Sequence, residues 1–152
     1  MRKPIILITG ANGEIGHGLI RSLSQSSKTD KMGLDLDNLD KSIRPHVQES
    51  LQGNILDRNL LERINAEFEV SAIYHLAALL STRAEFSPMI AHDVNVNGTK
   101  FLIDESITQN SSIVFFFPSS IAVYNVLNNR HHLINEKNIL DFPTTIYGKN
   151  KL

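Results

Sequence analysis

Tyr147 and Lys151 lie four positions apart, so on a helix they share one face. A phenol is a poor base at neutral pH. Its ordinary pKa is about 10, and lowering that to about 7 takes roughly 4 kcal/mol of differential stabilisation of the phenolate. A lysine ammonium one turn away supplies part of this, and a positively charged nicotinamide ring would supply more. Ser120, at the end of an earlier aromatic and β-branched run, is suited to hydrogen-bond the same substrate oxygen. Together the three make a proton-transfer site for oxidising an alcohol or reducing a ketone. Each also has a plainer reading, since tyrosine and lysine share many amphipathic helices and serine is a common turn or cap residue.

Such a site needs a cofactor held beside it, and the start of the chain offers a holder. Residues 5–18 read IILITGANGEIGHG, four apolar residues running into Thr9 and Gly10, with Gly13 and Gly16 beyond. This is the pattern of a strand buried on both faces, a glycine turn and a helix start. Gly10 can take a backbone conformation closed to other residues, Gly13 lets the main chain approach a pyrophosphate, and Gly16 lets the helix pack close. A second short strand over residues 31–37 ends in acids, and Asp35 lies 19 residues beyond Gly16. An acid at that distance accepts hydrogen bonds from the adenosine ribose and repels a 2′-phosphate, which favours NAD over NADP. Asp35, Asp37 and Asp40 also read as solvated turn residues, and only the agreement between acid and glycines favours the cofactor.

The remaining elements alternate. Ile15, Leu19, Ile20 and Leu23 form a helical stripe for packing on a sheet, and serines over residues 22–27 end that helix. A third strand is expected within residues 45–53. Asp57 is suited to cap a helix whose buried face is Leu60, Leu61, Ile64 and Phe68. The fourth strand, 72–76, runs into Ala77 and Ala78, small enough to let a ligand approach the strand end. Ser87 and Pro88 read as N-cap and first residue of one long helix reaching Gln109, with Val94, Phe101, Leu102 and Ile103 inward and Gly98 packed closely against something. Residues 113–117 form the fifth strand, residues 124–141 a long connection, and residues 143–152 open a last helix. Strand and helix in alternation predict an α/β fold, a Rossmann-type doubly wound parallel sheet with helices on both faces.

Composition narrows the function classes. The chain has 152 residues, 41% hydrophobic and 20% charged, enough for one core. A net charge of −1 gives no reason to expect a nucleic acid or an anionic membrane as partner, which leaves a small-molecule substrate. With no cysteine, disulfides, thiolate catalysis and sulfur-bound zinc are excluded. The first apolar run is far shorter than the ~20 residues of a membrane span, and a cytoplasmic protein is expected. No metal site is expected: His131 and His132 are adjacent, so their side chains diverge.

The glycine loop TGANGEIG, Asp35, HLAA (75–78), NVNGT (95–99), PSSIAVY (118–124) and YGKNK (147–151) resemble, in order, the motifs of the extended short-chain dehydrogenase/reductase family, also called the NAD-dependent epimerase/dehydratase family. The resemblance implies NAD as cofactor. It implies that Gly10, Asn12, Gly13, Glu14, Ile15 and Gly16 surround the pyrophosphate, that Asp35 holds the ribose, and that Asn54 and Ile55 lie at the adenine. Leu76, Ala77, Ala78 and Asn95 would line the cleft, with Tyr147 as acid/base, Lys151 on the nicotinamide ribose and Ser120 orienting the substrate. Asn54 departs from the family's usual aspartate, and Asn125 from its usual glycine.

HLAALLSTRAE, PSSIAV and PTTIYGKNK are similar to the short-chain type of L-threonine 3-dehydrogenase, which implies Ser81 and Ser119 beside Ser120 at the substrate. Two other readings remain: a nucleotide-sugar epimerase or dehydratase, and a non-catalytic dinucleotide-binding module. Family members are about twice as long. Residues 1–152 are therefore expected to be an incomplete NAD-binding domain, inactive alone without a C-terminal substrate lobe, and a homodimer is expected of the full-length protein.

Overall fold

Ile5 and Leu7 of strand β1 (Lys3–Thr9) enter one buried cluster, while Ile6 and Ile8 enter another on the opposite side. Successive residues of a strand face opposite ways, so a strand covered on both faces needs an unbroken apolar run. The computed structural model describes residues 2–109, 112–124 and 143–152. Its five strands are β1, β2 (Asp30–Asp35), β3 (Glu49–Gln52), β4 (Phe68–His75) and β5 (Val114–Phe116). They form one parallel sheet in the order β3-β2-β1-β4-β5, with Leu7 level with Met32 on one side and Ile73 on the other. This is the expected doubly wound sheet.

The first cluster packs Leu61 and Ile64 of helix α2 (Arg58–Glu67), and Leu102 from further along the chain, on Ile5, Leu7, Met32, Leu34 and Ile73. The second packs Ile20 of α1 (Glu14–Ser26), with Ile43 and Val47, on Ile6 and Ile8. Asp57 caps α2 as expected, accepting the Leu60 N–H at 3.2 Å. Phe68 does not continue the buried face of that helix. It is the first residue of β4, which begins four residues earlier than the sequence suggests. β4 also carries an irregularity where Ile5 pairs with Val70 and Ile6 with Ala72; the extra residue, Ser71, donates its hydroxyl to the Ile5 carbonyl at 3.0 Å.

The long helix expected from Ser87 and Pro88 to Gln109 is present as a continuous run whose middle turn is π-helical. A short helix α3 (Ser81–Phe86) precedes α4 (Pro88–His92), a π-helical turn (Asp93–Asn97) and α5 (Gly98–Thr108). Ser87 makes no side-chain cap. Gly98 is packed closely, as expected: a Cβ there would come within 2.7 Å of Ile55 Cδ1. The last helix, α6 (Ile146–Lys151), is capped by Thr145, which accepts the Gly148 N–H at 3.0 Å. Asn125, His131, His132 and most of the long connection lie outside the described residues.

Candidate active site

The carboxyl ends of β1, β2 and β4 open into a cleft of about 580 Å³. Its floor is main chain. Gly10 has φ +67°, in the left-handed region, and a Cβ there would lie 2.6 Å from the Ala77 nitrogen. A Cβ on Gly16 would meet the Ala11 carbonyl oxygen at 2.5 Å, and one on Gly13 the Gly10 oxygen at 3.2 Å. The loop and the start of α1 are thus as close as backbone permits, forming a cradle that only glycine leaves open. Gly10, Gly13, Glu14, Ile15 and Gly16 all line the cleft. Ile15 is 67% exposed there, so it departs from the expected stripe and leaves Leu19, Ile20 and Leu23 to face the sheet.

At one end stand Asp35, Asn54 and Ile55. The Asp35 carboxylate accepts the Asn12 N–H at 2.9 Å and the Asp37 N–H at 3.4 Å, which fixes its orientation. Asn12 itself does not line the cleft. Its side chain reaches the other way, donating to the carbonyls of Asp37 and Asn38 and accepting the Asp40 N–H at 2.9 Å, so it ties the glycine loop to the turn after β2. The Asn54 side-chain oxygen Oδ1 accepts the Leu56 N–H at 3.0 Å, a local turn that directs the side chain.

At the other end Ser119, Tyr147 and Lys151 meet. Lys151 is 5% exposed, and its ammonium sits 4.2 Å from the centroid of the Phe117 ring and 5.9 Å from that of Tyr147. Burial lowers the Lys151 pKa and raises that of Tyr147. The lysine therefore does not by itself offset burial of the phenol, contrary to the simplest expectation from their spacing. Ser120 does not line the cleft. It caps a 3-10 turn (Ile121–Val123), its oxygen accepting the Ala122 N–H at 3.2 Å. Ser81 is exposed at the start of α3 and is also outside the cleft lining.

The middle of the cleft is formed by Leu76, Ala77 and Ala78 as expected, with Leu79. Asn95 stands behind them, 2% exposed, rather than lining the cleft. Its amide oxygen accepts the Leu79 N–H at 2.8 Å, and its amide nitrogen donates to the Leu79 carbonyl at 3.0 Å, so both ends of the side chain are spent on holding this loop. His75 is the residue that motif reading undervalues. Its Nδ1 lies 2.7 Å from the Thr9 hydroxyl and its Nε2 2.9 Å from that of Thr99. Thr99 donates to the Asn95 carbonyl at 2.7 Å, so its oxygen must accept from Nε2–H, and Nδ1 accepts from Thr9. Burial, and secondarily the charge of Lys151, lowers the His75 pKa to about 4, in keeping with this neutral imidazole.

Leu34, Leu36, Gly53, Leu80, Val94 and Pro118 complete the lining. Leu36 and Gly53 immediately follow strands β2 and β3, and strand ends at the carboxyl edge of such a sheet are the signal that would have found them. Among the described residues there is no cluster of metal-ligating side chains and no helix long and apolar enough to cross a membrane.

A glycine cradle in the middle, an acid at one end and a tyrosine–lysine pair at the other suit a dinucleotide, and comparison with known proteins agrees. The chain is 32% identical over 155 residues to an uncharacterized epimerase/dehydratase of Staphylococcus aureus, covering 97% of this chain and 45% of that one. Among solved structures it resembles a monomeric L-threonine 3-dehydrogenase from a metagenome, with a TM-score of 0.76 and 31% identity over 96% of this chain and 45% of that one. It also resembles UDP-glucose 4-epimerase from Brucella ovis in complex with NAD, with a TM-score of 0.80 and 25% identity over 97% of this chain and 44% of that one. The chain thus spans about half the length of the relatives it matches. The family model for NAD dependent epimerases and dehydratases matches residues 6–152, glycine loop to lysine, and the chain belongs to that family, with NAD as its cofactor.

Proposed function

We propose that this chain is the cofactor-binding part of an NAD-dependent oxidoreductase that oxidises a secondary alcohol, with the side-chain hydroxyl of L-threonine as the first choice of substrate. The observation that carries the reading is the convergence of Tyr147, Lys151 and Ser119 at one end of a cleft whose other end is Asp35. When bound, NAD supplies the acceptor for the hydrogen removed with its electron pair from the alcohol carbon. The residues do the rest. The glycine cradle and the start of α1 take the pyrophosphate, and Asp35 takes the ribose hydroxyls and disfavours a 2′-phosphate. Tyr147, deprotonated, accepts the hydroxyl proton as the carbonyl forms, giving 2-amino-3-oxobutyrate from threonine. Lys151 holds the second ribose and favours the phenolate, and Ser119, the serine that lines this end of the cleft, faces the substrate. Partial burial raises the Tyr147 pKa, so a bound cationic nicotinamide would favour the phenolate and couple catalysis to cofactor binding.

The likeness to an L-threonine 3-dehydrogenase favours threonine; the likeness to a UDP-glucose 4-epimerase supports a second reading, in which the same site acts on a nucleotide sugar. The full-length protein, supplied with NAD, is expected to form NADH from L-threonine. Conversion of UDP-glucose without any turnover of threonine overturns the first reading in favour of the second. NAD binding with neither activity points instead to a non-catalytic dinucleotide-binding module.

A further inference from the structure

The motifs account for Lys151 but not for what holds it. The ammonium of a residue only 5% exposed must be compensated, and here an aromatic face lies within contact distance: Phe117, at 4.2 Å from Nζ to ring centroid. The ring is itself constrained. It stacks on the His75 imidazole at 6.0 Å between centroids and 27° between planes. That imidazole is pinned on both nitrogens, by Thr9 from β1 and by Thr99 from α5. Three elements, β1, β4 and α5, thus bear on one ammonium through a single phenyl ring.

We infer that Phe117 is a positioning residue for Lys151, its ring holding the ammonium at the cleft by a cation–π contact while the doubly hydrogen-bonded His75 fixes the ring. A lysine side chain has four rotatable bonds, and without such a platform the ammonium would be spread over several positions. The neutral tautomer set by the two threonines matters as well, because an imidazolium at this point would oppose the lysine charge. The consequence for cofactor binding rests on the reading of Lys151 as the ribose-binding lysine; the contact itself does not.

The test uses the full-length protein with ¹³C-labelled lysine and the variants F117L, F117Y, K151M and F117L/K151M. Protons on the Lys151 ε-carbon should resonate upfield of the other lysines through the ring current, keep that shift in F117Y and lose it in F117L. NADH affinity should fall about two- to thirty-fold in F117L, remain near wild type in F117Y, and fall no further when F117L is added to K151M. A merely structural role would weaken binding equally with and without Lys151, and that result overturns the inference. A Lys151 signal without the upfield shift in the wild-type protein overturns the contact itself, whereas K151M with wild-type NADH affinity overturns the reading of the lysine.

Discussion

The hydroxyl of Thr9 and the imidazole of His75 meet at 2.7 Å where β1 and β4 leave the sheet, and the same hydroxyl oxygen receives the Ala77 N–H at 3.3 Å. A buried neutral histidine is a liability in acid. Its pKa falls from 6.5 in the unfolded chain to about 4 in the fold, so below pH 6.5 the unfolded state binds more protons. Stability from this group is complete above pH 6.5, declines as the pH falls, and is lost below about 4, a difference of about 3 kcal/mol. Denaturant titrations of wild type and His75→Phe across this range should show a steeper acid loss in the wild type. Parallel curves would contradict it.

Gly10 cannot be replaced even by alanine without cost. Its φ of +67° disfavours any side chain, and the added carbon would press on the Ala77 backbone, which cannot rotate away as a flexible side chain would. Gly10→Ala should lose about 2–5 kcal/mol and bind NADH poorly. Thermal unfolding and an NADH titration check both, and an unchanged midpoint would show that the loop relaxes freely.

Asn54 offers a neutral oxygen where a charged one binds an amino group more strongly. Asn54→Asp keeps the acceptor for Leu56 N–H and adds charge at an exposed position. NADH affinity should rise about fivefold, the margin between neutral and charge-assisted hydrogen bonds. Isothermal titration with NADH measures it, and weaker binding would place the adenine elsewhere.

Tyr147→Phe in the full-length protein should lower kcat by about a hundred- to ten-thousand-fold while NADH affinity stays within a fewfold of wild type. Steady-state rates and a binding titration separate the two effects. Loss of binding without a kcat defect would remove Tyr147 from the chemistry.

Much of this was legible because the relevant signals are local. Four apolar residues before Thr9 and Gly10 announce a strand covered on both faces, and the fold bears this out at Ile5, Ile6, Leu7 and Ile8. Gly98 announced a tight contact, though not that its neighbour is Ile55, 43 residues earlier. What escaped was cooperative. Periodicity does not reveal that the middle turn of this helix, Asp93–Asn97, is π-helical, because apolar spacing is similar on either side of it. Nor could a motif distinguish Asn95 facing a ligand from Asn95 bonded to Leu79, since that depends on a loop 16 residues away. Phe68 misled for a simpler reason: its spacing from Ile64 suits a helix, yet pairing with Lys3 starts a strand there.

The glycine cradle is built from atoms that every amino acid possesses, whereas the cleft's two extremities present polar side chains capable of choosing. Asp35 and Asn54 stand on one side of the glycine cradle, Ser119, Tyr147 and Lys151 on the other. Such a layout is modular in an evolutionary sense: preference for a nucleotide can drift at the first group, and preference for what is transformed at the second. A lineage could therefore exchange its substrate many times while inheriting the same seat for the dinucleotide.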